Sequence, residues 1–340
     1  MEATEATTDG SPAGQHTMKA IVQDTYGPPE VLELRDIDKP VVKDDEVLVR
    51  VHAASVHLGD WILVRGVPYV TRLATGLRSP KNRVPGTDIA GTVVAVGRDV
   101  TQLRAGDEVF GWCTGAFAAY ACAAADHFVP KPATLTFEQA AAVGVSASTA
   151  LQLLRDQGQV QPGQRVLING ASGGVGTFAV QIAKAWGAEV TGVCGPGNVD
   201  LVRALGADHV IDHTQEDFTQ REPRYDVILD NVGNHALSDT RRALTPSGTL
   251  VPNGGGHASG RWLGSLGSVI TAAVVSLVVR QQGRPSIKFP NRADLVVLKG
   301  LIDGGQVTPV IDGTYPLSRT PEAIAHVGDG HARGTVVITV

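Results

Sequence analysis

The 340-residue sequence predicts an α/β protein of two domains, one β-rich and one a doubly wound parallel sheet, and three observations carry that expectation. Residues 18 to 130 hold short β-forming runs such as Glu46–Val51 (EVLVRV) and Gly91–Val96 (GTVVAV), separated by Gly, Pro and Asp turns with little helical periodicity. From about Gln164 the pattern changes to strand, glycine-rich turn, helix and strand. After a helical stretch at Arg292–Asp303, β character returns at Val310–Tyr315 and Thr335–Val340, so the end of the chain most simply rejoins the first domain. The expected boundaries are an unstructured tail at 1–17, a discontinuous β-rich domain at 18–142 and 308–340, and a parallel-sheet domain at 143–307.

Within the second domain the elements follow in order. Arg165–Asn169 (RVLIN) reads as a buried strand, the apolar run ending at Trp186 as a helix, and Glu189–Cys194 (EVTGVC) as the next strand. Helix Asp200–Leu205, strands His209–Ile211 and Tyr225–Asp230, helix Leu237–Leu244 and strand Thr249–Val251 then repeat the alternation that a parallel sheet requires.

Composition narrows the function. With 43% hydrophobic and 19% charged residues the chain is ordinary globular material, and its net charge of −5 gives nucleic acid no electrostatic footprint and shows no polybasic membrane patch. Cys113, Cys122 and Cys194 form no C-x-x-C pair, which supports neither a disulfide framework nor a thiolate zinc knuckle and fits a reducing cytoplasm. The polar, acidic first 17 residues lack the features of a secretory signal. Trp262–Val279 carries 18 uncharged residues between Arg261 and Arg280. That is near the ~18 to 20 needed to span a bilayer, but Gly264, Gly267 and the serines favour core, pocket or subunit-interface packing over stable membrane insertion.

Ala171, Ser172, Gly173, Gly174, Val175 and Gly176 form an A-x-G-x-x-G turn placed directly after a hydrophobic strand and opening a helix. In that context it is a Rossmann dinucleotide fingerprint: the glycines permit the tight turn and close packing, and the helix N-terminus offers N–H donors to a pyrophosphate. The second strand ends Val193-Cys194-Gly195-Pro196-Gly197-Asn198, without the acid that would accept from a ribose 2′-hydroxyl and repel a 2′-phosphate. NADPH is therefore the expected cofactor. Asn198, Arg203 and His213, near Gly195, are the candidate phosphate contacts, with His213 equally readable as a solvated turn residue.

The β-rich first part, the ASGGVG unit, Leu205–Ile211 (LGADHVI), Asp230–Gly233 (DNVG) and Gly330–Thr335 (GHARGT) together resemble the medium-chain dehydrogenase/reductase superfamily, over nearly all of the chain after Met18. The likeness is strongest to its zinc-independent quinone oxidoreductase branch. The resemblance implies a GroES-like catalytic domain joined to a Rossmann domain, with the active site in the cleft between them. It also implies a nicotinamide contact from Thr149, a ribose-side lining from Asn231-Val232-Gly233, and close backbone approach at Gly254, Gly255 and Gly256. Thr335 stands where the branch usually has Lys, leaving Arg333 as a further candidate.

Zinc-dependent relatives place three metal ligands that fall here on His57, Thr87 and Val145, so one plausible ligand survives of the roughly three a catalytic zinc needs. No metal site is expected. Gly59 and Ile62 stand where the alcohol dehydrogenases' hydroxyl relay has Ser or Thr and His. Reduction of a quinone or an α,β-unsaturated carbonyl, which needs mainly positioning and hydrogen bonds to the carbonyl oxygen, becomes the better expectation. Many quinone reductases carry Asn at the His57 position and Tyr at the Ile62 position, and this chain has neither. His57 is then a carbonyl donor or general acid, or else a packed structural residue. Asp60 is a site residue or a loop support, Trp61 is a candidate wall of the site, and Tyr69 is a third donor or a surface lid residue.

Two alternatives stay open: an enoyl-thioester reductase with a basic entrance near Arg261, Arg280 and Arg284, and a non-catalytic NADPH-binding protein. A homodimer is expected, through the 262–279 run or the segment near Val296–Ile302.

Overall fold

The computed structural model describes residues 16–222, 224–253 and 290–340. The triple glycine at 254–256, the apolar run at 262–279, and Arg261, Arg280 and Arg284 lie outside the described residues.

The first unit is a sheet built around one long strand. β1 (Thr17–Gln23) and β2 (Leu32–Asp38) form an antiparallel pair, and β1 takes up Thr17, the last residue of the expected tail. β3 (Glu46–Val56) pairs antiparallel with β4 (Asp88–Val96) on one edge. On its other edge it pairs first with β6 (Tyr120–Ala124) and then with β14 (Thr335–Thr339). β5 (Glu108–Trp112) and β7 (Phe128–Pro130) extend the sheet beyond β4, while β13 (Ile311–Pro316) lies outside β14. The first half of β3 alternates between buried and more exposed positions, and its second half, Ala53–Val56, is buried throughout. An AASV run fits that passage from a half-solvated strand to one covered on both faces. Two short helices, α1 (Leu58–Arg65) and α2 (Arg72–Thr75), leave the sheet between β3 and β4.

α3 (Phe137–Ala141) and α4 (Gly144–Gln152) lead to the second unit. Its strands β8 (Arg165–Asn169), β9 (Glu189–Cys194), β10 (His209–Asp212), β11 (Tyr225–Asp230) and β12 (Leu244–Pro252) are all parallel, in the order β10-β9-β8-β11-β12. Helices α5 (Gly174–Ala185), α6 (Val199–Ala204), α7 (Leu237–Arg242) and α8 (Arg292–Asp303) accompany them. Strand order reverses between β8 and β11, which opens a crevice at their carboxyl ends, the usual ligand position in such sheets.

One apolar core runs through both units. Ala53, Ala90, Phe110 and Val337 of the first sheet join Leu151 of α4, Ile168 of β8, Phe178 of α5 and Leu298 of α8. Polar ties reinforce it: Gln152 Nε2 and Arg155 Nη1 donate to the two carboxylate oxygens of buried Asp294 at 2.7 Å each. α9 (Thr320–Gly328) sits between the two predicted β runs at Val310–Tyr315 and Thr335–Val340, in a stretch the sequence leaves unassigned, and it buries Ala323, Ile324 and Val327 against the first sheet.

Candidate active site

The glycine turn is shaped by contacts that leave no room for side chains. Gly170, at φ +77°, and Ala171 both donate their amides to Val193 O, which fastens the end of β8 to β9. A Cβ on Gly176 would sit 2.0 Å from Gly170 O, and one on Gly192 would sit 2.4 Å from Val202 Cγ1. α5 can therefore approach the end of β8, and α6 can approach β9, only through glycine. Gly173 caps α5, and Ser172, Gly173, Gly174 and Val175 remain partly exposed at its N-terminus, where the first amides of a helix have no internal partner.

The C-terminal segment crosses this turn. Gly334 N donates to Ser172 O at 2.8 Å, a bridge links Gly173 to Gly334, and Arg333 Nη2 lies 3.2 Å from where a Gly197 Cβ would be. Asn198 Nδ2 donates to Ser172 Oγ at 3.2 Å, while its Oδ1 is buried without a partner. His213 Nε2 lies 3.6 Å from a Cβ position on Gly195. Arg333, Asn198 and His213 thus gather at the end of β9 around Gly195–Gly197, a glycine cradle with a cation and no carboxylate. Asp212, at the end of β10, turns its own carboxylate to Thr214 and Gln215. Arg203 does not join the group: its guanidinium pairs with Asp200 on the same helix at 3.0 Å. The glycine cradle and the Arg333 guanidinium beside it, with no carboxylate turned toward them, fit a phosphorylated dinucleotide.

On the β11 side, buried Asp230 accepts the amides of Val232 (3.1 Å) and Gly233 (2.9 Å) on Oδ1, together with Asn169 Nδ2 (2.9 Å). Asn231 Nδ2 donates to Asn169 O, and Asn253 Nδ2 donates to Asn231 Oδ1. The Asn231-Val232-Gly233 bend is therefore held rigidly beside Gly170. Thr149, half-buried on α4, is the residue expected to meet the nicotinamide.

Of the remaining predicted site residues, His57 and Asp60 lie near a buried carboxylate, Asp88. Asp88 opens β4 opposite Ser55, and its Oδ2 accepts from Ser55 Oγ (3.1 Å) and from the Val145 amide (2.8 Å). Its Oδ1 is buried without a partner, and a Cβ on Gly144 would sit 2.4 Å from it. Burial pushes the Asp88 carboxyl up to about 6, outweighing His57, the Val145 amide and the Ser55 hydroxyl, which favour the anion, while Asp60 adds repulsion. An acid at the start of an otherwise apolar strand (DIAGTVVAV) was the available signal.

His57 caps the N-terminus of α1, and its amide donates to Asp60 Oδ2 at 2.9 Å, a capping box with Asp60 at N3. Asp60 is buried, and desolvation raises its pKa against the pull of His57. The imidazole Nε2 comes within 3.4 Å of Asp60 Oδ2 in a direction that makes no hydrogen bond, so it stays buried and unpartnered. Trp61 is not placed as a wall of the cleft. Its Nε1 lies 2.1 Å from a Cβ position on Gly328 of α9, with Arg65 stacked 4.5 Å over the ring. Tyr69 lies under the Arg72 guanidinium (4.8 Å), which also covers Tyr26 (4.5 Å), so it belongs to a stacked surface cluster.

Thr87 and Val145, matched to two zinc-ligand positions, flank Asp88, one preceding it and one donating its amide to it. A Thr hydroxyl and a Val side chain do not make a tetrahedral zinc set with His57. Among the described residues no group of three or more His, Cys, Asp or Glu side chains is placed to hold a metal.

Asp88 carries a pH signature. It titrates near 3.8 when unfolded and about 6 in the fold, so its contribution to stability is full below pH ~4 and lost as pH rises through 6. Asp88→Asn is expected to gain on the wild type by about 3 kcal/mol between pH 4 and 7, measured by urea unfolding at each pH. Parallel profiles for the two proteins would show that Asp88 is ionised throughout.

Comparison with known proteins gives the family. Residues 43–133 match the family model of the alcohol dehydrogenase GroES-like domain, and residues 205–338 that of the zinc-binding dehydrogenase. The chain is 34% identical over 357 residues to NAD(P)H oxidoreductase RTN4IP1, mitochondrial, of Mus musculus, covering 95% of this chain and 89% of that one. It is 33% identical over 345 residues to quinone oxidoreductase of Homo sapiens, covering 96% and 98%. The crystal structure of Escherichia coli quinone oxidoreductase complexed with NADPH superposes with a TM-score of 0.79 at 27% identity, covering 95% of this chain and 100% of that one. Fold, glycine turn and relatives define an NADPH-dependent oxidoreductase with a GroES-like sheet unit and a Rossmann unit. The chain belongs to the medium-chain dehydrogenase/reductase superfamily, in its quinone oxidoreductase branch.

Proposed function

We propose that the chain reduces quinones or α,β-unsaturated carbonyl compounds with NADPH and without zinc. The observation that carries this reading is the surroundings of Asp88: where zinc-dependent relatives place ligands, Thr87 and Val145 stand, and the carboxylate is taken up by the Val145 amide and Ser55. When bound, NADPH supplies the hydride. Ser172–Val175 would hold its pyrophosphate at the α5 N-terminus, Asn198 and Arg333 its ribose phosphate, and Asn231–Gly233 the ribose side. Thr149 would orient the nicotinamide. Unpartnered His57 Nε2 is the donor proposed for the carbonyl oxygen, and Asp60 fixes the ring's backbone rather than acting on substrate. Polarising the acceptor in a water-poor cleft is enough to favour hydride arrival without a Lewis acid.

Three free thiols fit a reducing compartment, for which we propose the cytoplasm. Among the described residues no helix is long and apolar enough to cross a membrane. Exposed Val296 and Val297 on α8 support the proposed homodimer, which light scattering tests.

The reaction is tested with metal-stripped protein, NADPH or NADH, and a panel of an ortho-quinone, a 2-alkenal and an enoyl thioester. NADPH-selective turnover of quinone or alkenal without added zinc is expected. Oxidation of simple alcohols only when zinc is supplied overturns the proposal. Turnover of the thioester alone makes the chain an enoyl-thioester reductase, and NADPH binding with no turnover makes it a binding protein.

A further inference from the structure

The segment between α1 and β4 is basic throughout. From Trp61 to Thr87 there is no acid, while Arg65, Arg72, Arg78, Lys81 and Arg83 are all basic, in a protein whose net charge is −5. It leaves the site at His57 and returns to it at Asp88, the partner of Ser55 across the sheet. Both feet of the loop therefore stand in the candidate active site.

The loop is firmly built. Arg72 is stacked on Tyr26 and Tyr69 and donates Nε to Gly66 O at 2.8 Å. Tyr26 Oη donates to Gly76 O at 2.8 Å, and the Lys81 amide returns to Thr75 O at 2.8 Å, closing a tight turn over the end of α2. Arg83 is paired to Asp24. None of these contacts uses the side chains of Leu73, Leu77, Arg78 or Lys81. Leu73 and Leu77 stand 71% and 69% exposed, and Arg78 and Lys81 have no ion-pair or hydrogen-bond partner among the described residues. Folding does not explain two large aliphatic side chains and two free cations held at the tip of an ordered turn.

We propose that this tip docks the protein on an anionic lipid surface, presenting the mouth of the site to a membrane-dissolved acceptor. The second half of that statement rests on the quinone or enone reading above; the docking does not. Charge complementarity selects the occupant: unpaired cations attract an anionic leaflet, and leucines projecting beside them enter the headgroup boundary. A folded protein partner would instead need a broad complementary patch, typically ~800 Å² on each side, where this tip offers two protruding points.

The test is co-sedimentation of the full chain with vesicles of phosphatidylcholine alone and of phosphatidylcholine mixed with phosphatidylglycerol. Binding to the mixed vesicles only, reversed by salt, is expected. Arg78→Glu with Lys81→Glu is expected to weaken it about fivefold per basic side chain removed, so roughly twenty-five-fold before the reversed charges add repulsion. Leu73→Ser with Leu77→Ser is expected to weaken it by at least tenfold, on the order of the transfer of the two side chains. Both variants should keep NADPH affinity and turnover of a short-chain soluble quinone, while turnover of a long-chain quinone dissolved in the vesicles falls in step with binding. No vesicle binding, or binding indifferent to both variants, overturns the docking. A change of oligomeric state in the leucine variant by light scattering overturns it in favour of a second copy of the chain. Vesicle binding without turnover of any quinone or enone leaves the docking standing and removes the reductase reading instead.

Discussion

Gly176→Ala is expected to take away NADPH binding while leaving most of the fold in place. The added Cβ would meet Gly170 O at 2.0 Å, with the Ala171 backbone at 2.8 Å, and neither neighbour is a side chain that can swing aside. Gly170 is itself fixed by the hydrogen bond its amide donates to Val193 O and by the Val232 side chain over its α-carbon. The first turn of α5 must therefore move away from β8, which spoils the aim of the amides at residues 174 and 175. Overpacking of this kind typically costs ~1–3 kcal/mol, and the rigid backbone places it at the upper end. The NADPH dissociation constant is expected to rise by about thirtyfold to a hundredfold or more, two to three kcal/mol of lost complementarity. Gly300→Ala is the control: it lies inside α8, has nothing within 4 Å of the Cβ position, and should be neutral or stabilising by about 0.5–1 kcal/mol. Titration of cofactor fluorescence together with thermal unfolding checks both. Unchanged NADPH affinity in Gly176→Ala would mean that the turn tolerates a wider gap between strand and helix than its contacts imply.

The parallel-sheet unit was the more legible half because its signals are local. Arg165–Asn169, Glu189–Cys194, Tyr225–Asp230 and Arg292–Asp303 form as the sequence predicts, since fully buried strands are continuous apolar runs and glycines mark their ends. α9 escaped notice because it is short and keeps only Ala323, Ile324 and Val327 as its apolar side, although Pro321 in its first turn was a start signal. α1 was hidden by an unusual cap, with His57 where Ser or Thr is common. At the site, the glycine turn could be read directly, but the Asp88 cluster depends on contacts across 33 and 57 residues, which no spacing rule reveals. Arg333 reaches Gly197 only because β14 enters the first sheet and carries the preceding residues over the glycine turn. Trp61 reads in sequence as a candidate wall of the site, yet its ring is taken up by Gly328 of α9, a helix the sequence does not announce. The basic tip escaped for a different reason: its five cations are spread over nineteen positions, 65 to 83, inside a chain of negative net charge.

Asn198→Asp is expected to reverse the cofactor preference. At the end of β9 the protein offers Asn198, the Arg333 guanidinium and His213 around two glycines, with no carboxylate among them. A 2′-phosphate gains there from the Arg333 cation and meets no carboxylate, and a 2′-hydroxyl finds only the neutral Asn198 Oδ1 to accept from it. Aspartate inverts both terms: it repels the phosphate and accepts from the hydroxyl, the arrangement NAD-specific sites use. The Asn198 Oδ1 that would become a carboxylate oxygen is already buried and unpartnered, so the new charge meets little water to screen it. Hydrogen bonds to charged groups are worth about 1.5–3 kcal/mol, which sets the expected loss of NADPH affinity at roughly tenfold to a hundredfold, with a smaller gain for NADH. Arg333→Ala removes attraction without adding repulsion, so it should weaken NADPH by a similar factor and leave NADH unchanged. Arg203→Ala should alter neither, because that side chain is turned to Asp200. Dissociation constants for both cofactors across the three variants separate these outcomes. A ratio that moves with Arg203 but not with Asn198 or Arg333 would relocate the phosphate to the outer face of α6.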